Sequence, residues 1–299
     1  MHNQSETAAE GGTNDRGRLP AAAIKEIGKS AGALVVGVTA VEAFNEFVPE
    51  GHRPQDILPG ARSVIVAGNR GPTAAAWKCE DHRVMEITGY DFRENVAIHV
   101  MCDAIERDYG YRALQAPSLP TSGHRPPMSM MLAAVLCGLG TRSLAANIIL
   151  HPEHGLLYYA ALITSLPLEP DHVLTEAVCP TPHCVEMYRK LGKTPCVAAC
   201  PSDDGGCLDG SIDADGGIDY SYYDRERCHA RSMSFGIGSV QKSLVDIIGE
   251  EDPDRRRAMI ESDFFSQSLS AISFSKESVA QCFECMRVCP VGQNQRRLQ

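Results

Sequence analysis

The stretch Cys282-Phe283-Glu284-Cys285-Met286-Arg287-Val288-Cys289-Pro290 decides the reading of the chain. Its spacing is C-x2-C-x3-C-P, the second half of a bacterial iron–sulfur run. Two cysteines three residues apart grip one iron–sulfur cube from a tight turn. The third, followed by a proline that bends the chain away, is directed toward a different cube. Such a half-motif needs a partner, and Cys196-Val197-Ala198-Ala199-Cys200-Pro201 supplies a second C-x3-C-P. Cys179 and Cys184 lie upstream of it, and Cys228 lies between the two halves. Together these make eight candidate ligands, the number two 4Fe–4S clusters require at four thiolates each.

Cysteines also staple secreted domains. The chain carries 12 cysteines in 299 residues, about 4%, well below the density of a disulfide scaffold. The opening MHNQSETAAEGGTNDRGRLP has no apolar h-region, so no secretory signal is expected. In a large cytosolic chain the same spacing reads as metal binding. Zinc sites pair C-x2-C knuckles or mix in histidine, which two C-x3-C-P ends fit poorly. Cys79, Cys102, Cys137 and Cys207 read as packing residues. Of these, Cys207 lies six residues past Pro201 and is the one extra thiol that could substitute as a ligand.

The length suits one large domain or two ordinary ones, and 43% hydrophobic residues suffice for a core. No run approaches the apolar length of a membrane span. With no twin-arginine signal either, a cytoplasmic protein is expected. The net charge of −10 argues against a nucleic-acid partner, which would want a basic face.

Residues 1–19 are polar and aperiodic and read as a disordered tail. Pro20 sits where a helix can begin, with Ile24, Ile27 and Ala31 as its apolar stripe. Residues 33–40 and 63–67 are β-branched runs bounded by turn residues, hence strands. Ile98, Met101, Cys102, Ile105 and Tyr109 repeat at helical spacing up to Gly110. Residues 114–127 read as a proline-rich loop and 128–139 as a buried helix. Residues 147–150 and 156–164 read as strands joined by the turn His151-Pro152-Glu153-His154-Gly155. Lone turn histidines are usually solvated. The composition changes near residue 172, where a domain boundary is placed. The charged stretch 249–257 reads as a solvated loop, followed by a helical pattern over 259–274.

The order of these features resembles the epoxyqueuosine reductase and reductive dehalogenase superfamily. The residues that carry the resemblance are Gly138-Leu139-Gly140, Asn147 to Gly155, Thr164-Ser165-Leu166-Pro167-Leu168, the double cysteine module and Asp224-Arg225-Glu226-Arg227-Cys228. The resemblance implies an α+β architecture. A nitroreductase-like α/β sandwich over 20–172 would precede a ferredoxin-like double-cluster domain over 173–299, with an insertion at 229–281. It implies two 4Fe–4S clusters passing electrons one at a time to a cobalamin or other corrinoid, held at the domain junction without a lower protein ligand to cobalt. Carried over residue by residue, Cys179, Cys184, Cys196 and Cys289 hold one cube. Cys200, Cys228, Cys282 and Cys285 hold the other.

The chain departs from the family in three places. The leading cysteines are spaced Cys179-x4-Cys184-x11-Cys196 in place of C-x2-C-x2-C, so a longer loop must bring them together, and His183 could compete with Cys184. Ala116 to Ser122 holds no carboxylate where epoxyqueuosine reductases carry a proton donor, and the chain stops ten residues after Cys289, without their tRNA-binding extension. Thr141 and Leu144 replace the family's Trp and Lys near the corrinoid, leaving Gly138, Gly140 and Arg142 as its candidate contacts. Reductive dehalogenases use a tyrosine with a basic neighbour as acid; here Tyr158 and Tyr159 are the candidates, on opposite faces of one strand, although both also suit a core.

The function this implies is a cytoplasmic iron–sulfur oxidoreductase reducing a small organic substrate, as a reductive dehalogenase does. Its electrons would come from a low-potential donor such as ferredoxin or flavodoxin. The alternative is an electron-transfer or corrinoid-handling protein without a substrate of its own. A flavin in place of the corrinoid is disfavoured, since residues 20–60 offer no obvious Arg/Lys phosphate cradle.

Overall fold

The computed structural model describes residues 19–70, 74–78, 93–116, 127–145, 148–200, 206–224, 227, 237–273 and 284–292. In chain order its strands are β1 (Val35–Ala40), β2 (Ser63–Arg70), β3 (Ala113–Gln115), β4 (Thr141–Arg142), β5 (Ile149–His151), β6 (Gly155–Thr164), β7 (Leu208–Ile212) and β8 (Ile218–Tyr223). Its helices are α1 (Ala22–Ser30), α2 (Pro54–Ile57), α3 (Ala74–Lys78), α4 (Arg93–Tyr109), α5 (Met130–Leu136), α6 (Pro182–Leu191), α7 (Pro195–Ala199), α8 (Ile237–Gly249), α9 (Pro253–Ile260), α10 (Asp263–Ser273) and α11 (Glu284–Arg287). A short 3-10 turn, Val41–Phe44, follows β1.

The main sheet is antiparallel, in the order β1-β2-β6-β5-β4. Its spine is β6, which pairs with β2 from Ser63 opposite Thr164 to Arg70 opposite Leu157. The last residues of β6 also pair with β3, and its first with β5 through the tight turn at Glu153. Side chains alternate across a strand, and here both faces are covered by helices. Val38, Ile65, Ala67, Ala160 and Leu162 pack against α1 and α4. Val64, Val66, Ala161 and Ile163 pack against α5 and the 3-10 turn. Burial on both faces explains why β2 reads as a continuous apolar run rather than an alternating one. Gly37 is required by this layering: a Cβ there would lie 2.6 Å from the Cys137 carbonyl oxygen at the end of α5.

Asp171 ties the end of this region back to its start. Its carboxylate accepts the Val38 amide at 2.7 Å and the Lys25 ammonium, and its own amide donates to the Val38 carbonyl at 2.8 Å.

A third core lies beyond. Leu144, Ala145 and Leu150 from the β4–β5 region join Cys179, Cys196, Leu208, Met286, Cys289 and Val291. The β7–β8 hairpin flanks it. A smaller cluster of Val240, Ile247 and Phe265 joins α8 to α10.

Three expectations need correction. The long spacer after Cys184 is not a loop but helix α6, closed by Gly192 at φ +69°. Much of the charged stretch is also helical: Asp252 caps α9 by accepting the Asp254 amide, and Pro253 opens it. Residues 114 and 115, expected to belong to the loop over 114–127, form β3 together with Ala113. The expected disordered tail falls outside the described residues up to Arg18. Among the described residues no helix is long and apolar enough to cross a membrane.

Candidate metal centre

Two threonine–proline pairs build the first cysteine group. Thr181 precedes α6 and Thr194 precedes α7, and in both helices proline takes the first position, where its missing amide hydrogen costs nothing. This sets Cys184 and Cys196 in the first turns, at the positive ends of the helices. Neither threonine caps its helix. The Thr181 Oγ1 instead lies 3.3 Å from Cys184 Sγ, and the Thr194 Oγ1 3.3 Å from Cys196 Sγ. Cys179 arrives on an extended segment pinned to β4, where the Val178 amide donates to Thr141 Oγ1 at 2.9 Å.

The opposite wall comes from the C-terminal half-motif. Helix α11 packs against α7, which sets the two C-P motifs side by side. The chain after Cys289-Pro290 then lies on the β5–β6 turn: a Cβ on Gly155 would meet the Val291 carbonyl at 2.5 Å, and one on Gly292 would meet the His154 carbonyl at 2.6 Å. Cys179, Cys184, Cys196 and Cys289, all buried, line one small cavity with Leu150, Pro195, Pro290 and Val291. His183 is turned to solvent.

This cavity suits thiolates only if something positive enters it. Burial is the largest influence on Cys179 and pushes its pKa up to about 12; a main-chain hydrogen bond from Leu144 opposes this, while the other three cysteines add to it. Burial also raises Cys196, opposed by the Thr194 hydroxyl. A bound metal removes such protons outright. Among the described residues no three His, Cys, Asp or Glu side chains converge tightly enough for a single ion, which needs thiolates at about 2.3 Å from one point. A 4Fe–4S cube asks for the other arrangement, with four sulfurs spread around a body and one facing each corner. Four cysteines lining one cavity are the donor type and number that such a cube takes.

The second group is partly described. Cys200 and Cys285 are half-buried against the third core; Cys228 and Cys282 lie outside the described residues. Cys207 packs on the same core, its sulfur 3.2 Å from that of Cys200.

No family model matches the chain, and no curated protein matches it. Solved structures do. Over 92% of its length it superposes on an epoxyqueuosine reductase solved with a modified tRNA-Tyr stem loop, at 17% identity and a TM-score of 0.50. Over the same share it superposes on a catabolic reductive dehalogenase in complex with 3-bromo-4-hydroxybenzoic acid, at 18% identity and a TM-score of 0.51. The chain has the fold of the epoxyqueuosine reductases and reductive dehalogenases. It spans 65% of that reductase and 39% of that dehalogenase.

The residues considered for corrinoid and catalysis have other surroundings. Gly138 adopts φ +67°, and a Cβ there would lie 2.2 Å from the His172 carbonyl; one on Gly140 would lie 2.5 Å from the Leu150 carbonyl. The chain's own backbone therefore fills the space that each glycine leaves. Arg142 is exposed on β4. Tyr159 packs on the α5 face, where its hydroxyl donates to the Leu139 carbonyl at 3.2 Å and burial raises its pKa. Tyr158 points to the other face of β6 and is half-buried. Cys137 is a buried core thiol and Cys102 packs on the α4 side; Cys79 lies outside the described residues.

The residues missed from sequence are Thr181, Thr194 and the turn histidines. The signal for the threonines was the repeated Thr-Pro before each cysteine, a helix start. His151 and His154 stack, with ring centroids 4.7 Å apart, and His151 Nδ1 accepts the amides of Glu153 and His154 at 3.1 and 3.2 Å. They brace the turn that carries the Cys289 arm.

Proposed function

We propose that the chain is a cytoplasmic iron–sulfur oxidoreductase that passes electrons through two 4Fe–4S clusters to a corrinoid for reduction of a small organic substrate. One cluster is assigned to Cys179, Cys184, Cys196 and Cys289, the other to Cys200, Cys228, Cys282 and Cys285. The observation that carries this is the meeting of Cys196 and Cys289, one from each C-P half, with Cys179 and Cys184 at one cavity. The division into a nitroreductase-like part over 20–172 and a ferredoxin-like part over 173–299 belongs to the same proposal. So does a low-potential donor such as ferredoxin or flavodoxin.

When bound, the clusters supply one-electron carriers and the corrinoid a strong reductant or nucleophile. The chain's share is local. Leu150, Pro195, Pro290 and Val291 keep water from the sulfurs. Thr181, Thr194 and the Leu144 amide place hydrogen-bond donors on them. The net charge of −10 favours a small molecule over tRNA, and the halogenated phenol bound by one structural neighbour is of that class.

A second reading is an electron-transfer or corrinoid-handling protein with no substrate of its own. It is favoured by the glycines at 138 and 140, which are closed by backbone carbonyls, and by the engagement of the Tyr159 hydroxyl with Leu139. Anaerobic iron, sulfide and cobalt content, with a visible spectrum before and after cobalamin, separates the two. About eight irons with a base-off corrinoid spectrum is the expected result. About eight irons without corrinoid uptake selects the second reading, and about four or fewer overturns the double-cluster assignment.

A further inference from the structure

We propose that helix α8 is the contact through which two copies of this chain pair about a twofold axis. The segment α8–α10 lies between the two C-P halves and buries little. Among its described residues three large apolar side chains, Val240, Ile247 and Phe265, are buried. Leu244, Val245, Ile248, Ile260, Phe264 and Leu269 are exposed. Single exposed apolar residues are ordinary, but a contiguous group marks an interaction surface. On α8 the group is contiguous. Ile248 follows Leu244 by four residues and Val245 by three, so the three share one helix face. Val245 is 71% exposed and Ile248 78%. Helix α9 does not cover this face. Ser243, Asp246 and Ile247 turn instead to the groove shared with Arg255 and Met259 of α9, on the other side of α8.

Charge points to a second copy as the occupant. The stripe, extended by exposed Gln241 three residues before Leu244, carries no formal charge, in a chain whose net charge is −10. Two such chains repel each other and meet with least repulsion through an uncharged face. An antiparallel pairing is also self-complementary. With the axis between Leu244 and Val245, Leu244 packs on the partner's Val245, and Gln241 on the partner's Ile248. The exposed charges of α8 are Lys242 and Asp246. The same register sets Lys242 level with the partner's Asp246, twice by symmetry. A parallel pairing would set Lys242 level with the partner's Lys242 instead. A twofold contact is isologous, so one stripe serves both copies.

The test is sedimentation equilibrium of the full chain over a range of concentrations, where wild type is expected to show a monomer–dimer equilibrium. V245E brings two carboxylates together at the axis and should weaken the dimer by about a hundredfold, with the helical signal of wild type retained. Ile248→Lys, at an equally exposed position, repeats the test if V245E does not fold. K242E sets a carboxylate level with the partner's Asp246 and should weaken the dimer by about tenfold. K242E/D246K exchanges the two signs and should restore it. Wild type that stays monomeric at every concentration, as for a face that docks some other protein, would overturn the proposal. So would a dimer that V245E leaves intact, or one that K242E/D246K fails to restore. None of these outcomes depends on cluster content, so the function proposed above stands or falls separately.

Discussion

Cys137 and Cys179 are both buried thiols, and the regions around them differ in kind. Cys137 ends α5 inside the sheet–helix core, where Val64, Val66 and Phe44 share its cluster. Its thiol faces the Val64 carbonyl at 3.9 Å, and burial holds its pKa well above the ordinary value. Cys179 is also pushed up by burial, but three further cysteines act on it and a main-chain amide opposes the shift. Cysteine in the first setting is a small hydrophobe. In the second it belongs to a set of acceptors arranged around a space. Burial alone does not separate the two; the company each thiol keeps does.

The strongest way to break that contrast is to remove one thiol from each region. Cys289→Ala should take away the cluster held by the upstream cysteines and leave about half the iron. Cys137→Ala should keep all of the iron and cost about 1 kcal/mol of stability, as for the loss of one buried heavy atom. Iron analysis beside urea unfolding reads both. Full iron in C289A would refute the pooling of the two halves at one cavity.

How far each region could be read from sequence follows from the same contrast. The sheet–helix core announces itself through periodicity: Ile98, Met101 and Ile105 share one helix face, and Val64 to Ala67 is a β-branched run. The two C-P halves are legible because their spacing is itself the chemistry. What was not legible is how the halves are held. Residues 180–195 contain three prolines and read as a loop, yet Pro182 and Pro195 each sit at the first position of a helix. There proline is favoured rather than forbidden. Helix α9 was hidden for another reason. It buries no residue, so it shows no apolar stripe, and only the Asp252-Pro253 start gives it away.

The next test probes the joint between the regions. Gly155 opens β6 at φ +69°, and a Cβ there would lie 2.5 Å from the Val291 carbonyl. Gly155→Ala should therefore cost about 1–3 kcal/mol and loosen the arm that carries Cys289. Iron should be lost faster to a chelator, with the helical signal of the main sheet region retained. Gly51 has a similar positive φ, but a Cβ there meets nothing within 4 Å. Gly51→Ala should therefore cost only its backbone strain and leave the release of iron unchanged. Equal iron release in both variants would show that the joint does not bear on the cavity.

The smallest expected effect is that of pH on the same joint. Burial is the main cause that lowers the pKa of both His151 and His154; the Glu153 carboxylate opposes it in each, while His154 adds to it at His151 and Arg70 at His154. A histidine whose folded pKa is depressed favours the folded state when neutral. Its contribution is therefore complete above the free-histidine value of about 6.5 and is lost as pH falls below it. The stacked pair should thus loosen between neutral and mildly acid pH, and Val291 and Gly292 with it. Urea midpoints and chelator-driven iron release from pH 8 to pH 5 should show wild type weakening more steeply than His154→Gln, which cannot take up that proton. Parallel curves would mean that the carboxylates elsewhere govern the acid response, and that the turn serves the Cys289 arm through backbone contact alone.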